Sequence, residues 1–520
     1  MNDLTELLKQ GQTEPEKIAI GTSDLRIVLT YQQLDRLVKS TMGQLSHLGL
    51  ERGHTVALLA DNCLEFAAAL LAITSLGALV APLNPALTLD EVTTRLSALS
   101  ADALVVPTHL SNRVIDSESA AGSPAVWTMS IEGSGDHATV HIVNGNGQAP
   151  KAARPSAPFI QSDDIAILMF TAGSTGAPKA VPWTHRNILD SARNIASWYR
   201  LSPQDATLVI MPLFHGHGLA AGLLATLASG GSVYFPSTGS FSAHLFWPDM
   251  ARIGATWYTA VPTIHRILLN RAAQEYPKDS PIVLRFIRSC SAPLDEELVK
   301  EITSVFHAPL ISAYGMTETA HQACSNPIPF AGTNKTSSVG LPTGVELRIV
   351  ADDGSDLPAG AVGEVWVRGS TVVSGYLNDP EANSTSFVNG WFRSGDLGSR
   401  DEDGYLFLTG RIKELINRGG EKISPHTIDD VLTSHAKVLE AAAFGEPDVI
   451  YGENIHVAVV LRPGMLASEE ELRDYCRLRL NSFEVPEQIH IVASIPQTTK
   501  GSFDRRALAQ QFSTPTGATQ

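Results

Sequence analysis

The 520-residue sequence predicts an α/β fold with at least two domains. Three observations carry this reading. Helical and strand-like patterns alternate along the first third of the chain, and repeated βα units imply a largely parallel sheet covered by helices. The length exceeds the size at which a single core stops growing. An apolar content of 43% is ample for two cores.

The elements follow in order. Apolar residues at helical spacing predict a helix over residues 31–48, then a strand at 55–59, a helix at 64–76 and a short strand at 79–82. Residues 131–158 are rich in Gly, Ser and Pro with little apolar periodicity, and read as a loop joining two lobes. Short β-prone runs at 208–211, 256–258, 284–287 and 309–312 predict a second sheet. Alternation between residues 345 and 367, with a turn at Asp352-Asp-Gly354, predicts a small antiparallel β-barrel.

Composition excludes several function classes. The net charge of −16, with no run of five or more Lys/Arg, argues against a nucleic-acid partner. No apolar stretch approaches the roughly 18 residues that a membrane span needs. Cys63, Cys290, Cys324 and Cys476 lie far apart without metal-ligand spacing, and read as free thiols in a reducing compartment. With no leader pattern or peroxisomal address, a soluble, cytoplasmic protein is expected.

The most informative segment is Thr171-Ala-Gly-Ser-Thr-Gly-Ala-Pro-Lys-Ala180, which follows six consecutive apolar residues. It reads as a strand emptying into a phosphate-holding loop. Glycines let backbone N–H groups close on phosphate oxygens, the hydroxyls of Thr171, Ser174 and Thr175 add donors, and Lys179 adds a point charge beside Gly176. An ordinary polar surface loop has the same composition.

Further segments separate these readings: Tyr314-Gly-Met-Thr-Glu318, Gly363-Glu-Val-Trp-Val-Arg-Gly369, Gly375-Tyr376, Trp391-Phe-Arg-Ser-Gly-Asp396 and the run from Gly410-Arg411 to Ser424-Pro425. Together with the loop, they resemble, in order, the motifs of the acyl-adenylate-forming (AMP-binding) superfamily over nearly the whole chain. That resemblance implies a large N-terminal domain, residues 1–412, of two βα-type sheets and the small barrel. A small mobile α+β C-terminal domain, residues 413–520, would follow, hinged at Lys413.

It also implies ATP, Mg²⁺ and CoA. By resemblance, Glu318 would hold Mg²⁺, Thr317 would meet the α-phosphate, and Tyr314 and Gly315 would face adenine. Asp396 would accept the ribose hydroxyls, a natural task for a group with two acceptor oxygens, and Arg411 would contact ribose and phosphate. Gly419 and Gly420 would line the pantetheine tunnel, where a missing side chain admits the thiol arm, with Arg418 and Lys422 near the CoA phosphates. Taken alone, Thr317-Glu318 reads as a helix start and Arg411 as a surface arginine.

The segments expected to line the acid pocket are unusually polar. Phe214-His-Gly-His-Gly218, Arg288-Ser-Cys-Ser-Ala292 and Thr317-Glu-Thr-Ala-His321 bring donors, so His215, His217, Ser289 and His321 are candidates to bind an anionic acid. His215 is also a catalytic candidate. The segments 242–264 and 284–290 resemble oxalyl-CoA synthetases (oxalate:CoA ligases), which implies oxalate or another short di- or tricarboxylate. Any one of these histidines also reads as a packed core residue.

One departure stands out. Where the family has a P-K-T-x-x-G-K pattern, this chain reads Pro496-Gln-Thr-Thr-Lys-Gly-Ser502, with a neutral serine at the catalytic lysine position. Either Lys500 reaches the site from a flexible loop, its four-carbon stem and the adjacent Gly501 leaving room, or adenylation is slow. The expected activity is an ATP-dependent acid:CoA ligase that forms an acyl-AMP and then a thioester. The alternatives are an enzyme loading a carrier-protein phosphopantetheine and a weakened nucleotide-binding relative. Oligomeric state is not legible.

Overall fold

The computed structural model describes residues 3–9, 14–113, 124–145, 159–171, 179–277, 282–329, 332–497 and 503–512. Four sheets organise the chain. The first has seven strands, in the order Thr139–Asn144, Ala125–Glu132, Ala103–Pro107, Thr55–Leu59, Leu79–Leu83, Ile165–Thr171, Lys179–Thr184. Its interior pairings are parallel, and an antiparallel strand closes each edge. The second has nine strands, with Phe286–Ser289 between Trp257–Ala260 and Leu310–Tyr314, all three parallel.

The helix Tyr31–His47 starts at a reciprocal cap, with the Thr30 hydroxyl on the Gln33 amide and the Gln33 side chain on the Thr30 N–H. The next helix, Leu64–Ser75, is buried along all but one of its residues, as its all-round apolar sequence requires. It lies in a core shared by both sheets, with Val56, Val80 and Ile167 from the first and Ile20, Val233 and Phe235 from the second.

Three expectations need correction. The predicted loop at 131–158 contains the end of one strand and the whole of another, paired antiparallel from Trp127↔Asn144 to Glu132↔Thr139. Only Val140 and Ile142 alternate inward there, too short a pattern to register as periodicity; residues 146–158 lie outside the described residues. The small barrel takes the form of a five-stranded antiparallel sheet built around the long strand Trp391–Arg400. The strand expected at 284–287 runs Phe286–Ser289 instead, and includes the fully buried Arg288.

The fourth sheet comprises Glu421–Ile423, Ile416–Arg418, Gly452–Leu461, Val438–Asp448 and Gln488–Ile491. With the helices Pro425–Thr433 and Glu469–Arg477 it encloses its own core of Ile416, Ile428, Val457 and Leu472.

Candidate active site

The phosphate-loop candidates sit at one end of the first sheet. Thr171 and Lys179 are cross-strand partners in the hairpin Ile165–Thr171/Lys179–Thr184, whose antiparallel pairing brings both ends of the loop together. Ser174, Thr175 and Gly176 lie outside the described residues. The Lys179 ammonium sits 4.3 Å over the ring of Tyr376. The Tyr376 hydroxyl in turn donates to Glu318 Oε1 at 2.8 Å. Tyr376 thus joins the phosphate-side lysine to the candidate Mg²⁺ carboxylate. It was legible only as part of the Gly375-Tyr376 motif, because its contacts come from segments about 60 and 200 residues away in sequence. Burial, then the charge of Glu318, pushes its phenol up, so it remains a donor.

Thr317 and Glu318 occupy the short 3₁₀ turn Thr317–Thr319, anchored by Trp183 Nε1 donating to the Thr317 carbonyl at 2.7 Å. Among the described residues no group of three His, Cys, Asp or Glu could cage a metal. A lone carboxylate fits Mg²⁺, which keeps waters and takes phosphate oxygens in preference to an all-protein shell.

Tyr314, Asp396 and Arg411 converge. The Tyr314 hydroxyl donates to Asp396 Oδ2 at 2.5 Å, and Arg411 Nε lies 2.9 Å from Asp396 Oδ1. Strand pairing puts Asp396 opposite Arg411. Burial pushes the Asp396 carboxyl up, against the charge of Arg411 and the hydrogen bond from Tyr314. Gly315 is dictated by space: an added Cβ would lie 1.5 Å from the His321 carbonyl oxygen.

The acid-pocket candidates divide. His217 opens the π-helical segment His217–Leu224, a conformation frequent at functional sites. Its ring stacks on His321 with centroids 5.2 Å apart. His217 Nε2 meets Thr259 Oγ1 at 2.6 Å, and its Nδ1 meets Ser291 Oγ at 3.2 Å. His321 and Ser291 both hold positive φ, +91° and +75°, a strained conformation for residues with side chains that concentrates at functional sites.

Ser291, rather than Ser289, is the serine on His217. Ser289 is one residue out of phase with Arg288 on its strand and therefore faces the opposite side of the sheet, where its buried hydroxyl finds no hydrogen-bond partner among the described residues. His215 packs its ring against Phe214, with centroids 4.5 Å apart.

Arg288, unassigned by the sequence reading, lies at the centre of this cluster. It donates to Thr259 Oγ1, His321 Nε2 and Gln322 Oε1, each at 3.0 Å, and to the Tyr199 hydroxyl at 3.1 Å. Burial, then the charge of Arg288, pushes both His217 and His321 well below the usual imidazole range, so both are neutral.

On the fourth sheet, Gly419 and Gly420 form the turn between Ile416–Arg418 and Glu421–Ile423, both at positive φ. No atom of the described residues lies within 4 Å of a Cβ added at Gly420. Arg418 is turned onto Glu487 at 3.1 Å and the Phe483 carbonyl, while Lys422 reaches Asp352 at 3.5 Å. Lys413 is exposed in the turn Ile412–Glu414. Lys500 and Ser502 lie outside the described residues.

The sheets, the phosphate hairpin and the Tyr314–Asp396–Arg411 group together describe an adenylate-forming enzyme. Residues 7–377 match the model of the AMP-binding enzyme family and residues 427–502 that of the AMP-binding enzyme C-terminal domain, so the chain belongs to this family. It is 41% identical over 511 residues to an oxalate–CoA ligase of Arabidopsis thaliana, covering 96% of each chain. A sulfoacetate–CoA ligase of Cupriavidus necator is 41% identical over 358 residues, 69% of each chain. The crystal structure of ATP-bound MatB from Rhodopseudomonas palustris superposes with a TM-score of 0.87 at 27% identity, covering 98% of this chain and 99% of that one. The protein is an ATP-dependent acid–thiol ligase that uses Mg²⁺ and CoA.

Proposed function

We propose that the acid activated here is oxalate or another short di- or tricarboxylate. The observation that carries this reading is the pocket cluster itself: a buried guanidinium and two neutral imidazoles, with no carboxylate of the described protein among them. Apolar walls would suit a fatty or aryl acid, whereas these donors would satisfy an anion that is otherwise buried unpaired. The relatives named for oxalate and sulfoacetate, both two-carbon dianions, support the same reading.

In this reading Lys179 and the loop before it hold the phosphates, with Glu318 oriented by Tyr376 toward Mg²⁺, whose charge would offset repulsion between the acid and the α-phosphate. Asp396 holds the ribose hydroxyls, with Arg411 beside it. Lys500 replaces the ammonium missing at Ser502. Residues 413–520 then turn about Lys413, bringing Gly419 and Gly420 to the acyl-AMP so that the CoA thiol displaces AMP. Release of Arg418 and Lys422 from Glu487 and Asp352 would free both for CoA phosphates. The four free cysteines fit a reducing compartment such as the cytosol.

The test is pyrophosphate release with oxalate, malonate, succinate, citrate, acetate and a medium-chain fatty acid, with CoA or a phosphopantetheinyl carrier protein as acceptor. Release with a short polycarboxylate, completed by CoA, is expected. Preference for the fatty acid would overturn the substrate assignment, preference for the carrier would replace CoA as acceptor, and nucleotide binding without release would mark a weakened relative.

A further inference from the structure

Two arginines three residues apart on the strand Phe286–Ser289 and its approach are treated differently by the fold. Arg285 has a dedicated acid: its Nη1 sits 2.6 Å from both carboxylate oxygens of the buried Asp205. Arg288 is 0% exposed, yet its partners among the described residues, the Tyr199 hydroxyl, Thr259 Oγ1, His321 Nε2, Gln322 Oε1 and the Cys290 side chain, include no carboxylate. Among the described residues no carboxylate pairs with it. Burying a guanidinium without a counter-charge is strongly unfavourable, and stays so however well its N–H groups are satisfied. A charge retained under those conditions marks a place where an anion arrives from outside.

The geometry also says how Arg288 acts. A guanidinium can only donate, so His321 must accept at Nε2 and carry its proton on Nδ1. Thr259 Oγ1 accepts from Arg288 and shares a second hydrogen bond with His217 Nε2. Arg288 thus orders both stacked imidazoles while its own donors stay occupied.

We propose that Arg288 is the specificity-determining positioning residue of the acid pocket: its uncompensated buried charge, acting through His321 and the Thr259–His217 pair, selects acids that carry a second anionic group. The proposal rests on the polycarboxylate reading above. Discrimination is a difference of affinities, and a fixed positive field lowers the free energy of a dianion more than that of a monoanion of similar size.

Neutralising the charge tests this better than deleting the side chain. Gln322→Glu keeps an acceptor of the same length beside Arg288 and supplies the missing carboxylate; Arg288→Gln removes the charge outright. For the full-length parent and both variants, kcat/KM for pyrophosphate release would be measured with oxalate and with glycolate, which has a hydroxymethyl group in place of the second carboxylate, beside the KM for ATP. We expect the oxalate-to-glycolate ratio to fall at least about tenfold in each variant that folds, with the KM for ATP retained. Equal losses for both acids in Gln322→Glu, or an unchanged ratio, would overturn the proposal and leave Arg288 a structural residue. A parent that prefers glycolate would instead sink the polycarboxylate reading, so the two failures are distinct.

Discussion

Gly315 shows how tightly single residues are constrained here. Its neighbour across the turn is the backbone of His321, held at a φ of +91°, so a methyl at position 315 cannot be accommodated by a side-chain rotation. Gly315→Ala should destabilise the protein by about 1–3 kcal/mol as overpacking does, visible as a lowered Tm. It should also reduce pyrophosphate release, since His321 moves with it. Lys500 makes the opposite kind of claim, resting on charge in place of space. Lys500→Ala should slow adenylation on the order of 10²-fold, while thioester formation from supplied acyl adenylate and CoA persists. Equal loss in both half-reactions would reassign the residue.

At the scale of elements, the turn Ile412–Glu414 is tied to two helices. Glu414 lies 3.4 Å from His426 on Pro425–Thr433 and 3.5 Å from Arg505 on Arg505–Phe512. Burial pushes the Glu414 carboxyl up, but the hydrogen bond from His426 and the charges of His426, Arg505 and Arg411 outweigh it and bring the pKa to about 2 from an ordinary 4.5. A folded-state value below the unfolded one means that the ionised form stabilises the fold above about pH 4.5, and that this contribution is lost as pH falls toward 2. The Tm difference between the parent and Glu414→Gln should therefore be steady at neutral pH and shrink as acid is added below 4.5. A constant difference at all pH values would show that the carboxylate charge is not what holds the turn.

For the whole molecule, the proposed turn of residues 413–520 would carry the fourth sheet against the first three. In this pose Lys422–Asp352 and Arg462–Glu297 are exposed ion pairs, at 3.5 and 3.6 Å, between the fourth-sheet region and the rest. Such pairs contribute about 0–1 kcal/mol each, weak enough to be exchanged during turnover. Lys413, exposed in the connecting turn, is the proposed pivot. Lys413→Pro, which fixes φ, should leave acid-dependent pyrophosphate release largely intact and remove most of the CoA-dependent rate. Single-turnover assays of each half-reaction would check this, and a variant that performs both at the parent's rate would place the pivot elsewhere.

What the sequence determined by itself was whatever is written in local order. Apolar periodicity located the helices near Tyr31–His47 and Leu64–Ser75 and the parallel strands within a few residues, and contiguous motifs pointed to the family. Tertiary structure alone decided what depends on residues meeting from afar. Tyr376 could be joined to Lys179 and Glu318 only once three segments were packed together. Ser289 and Ser291, two residues apart, would share a face of a continuous strand; the strand ends at Ser289, and only the turn beyond it, with Ser291 at a φ of +75°, seats Ser291 on His217. Arg288 lies one residue beyond the strand expected at 284–287, and within the strand that forms. Only the assembled cage of Tyr199, Thr259, His321 and Gln322 reveals a charge that the described fold keeps without a counter-ion.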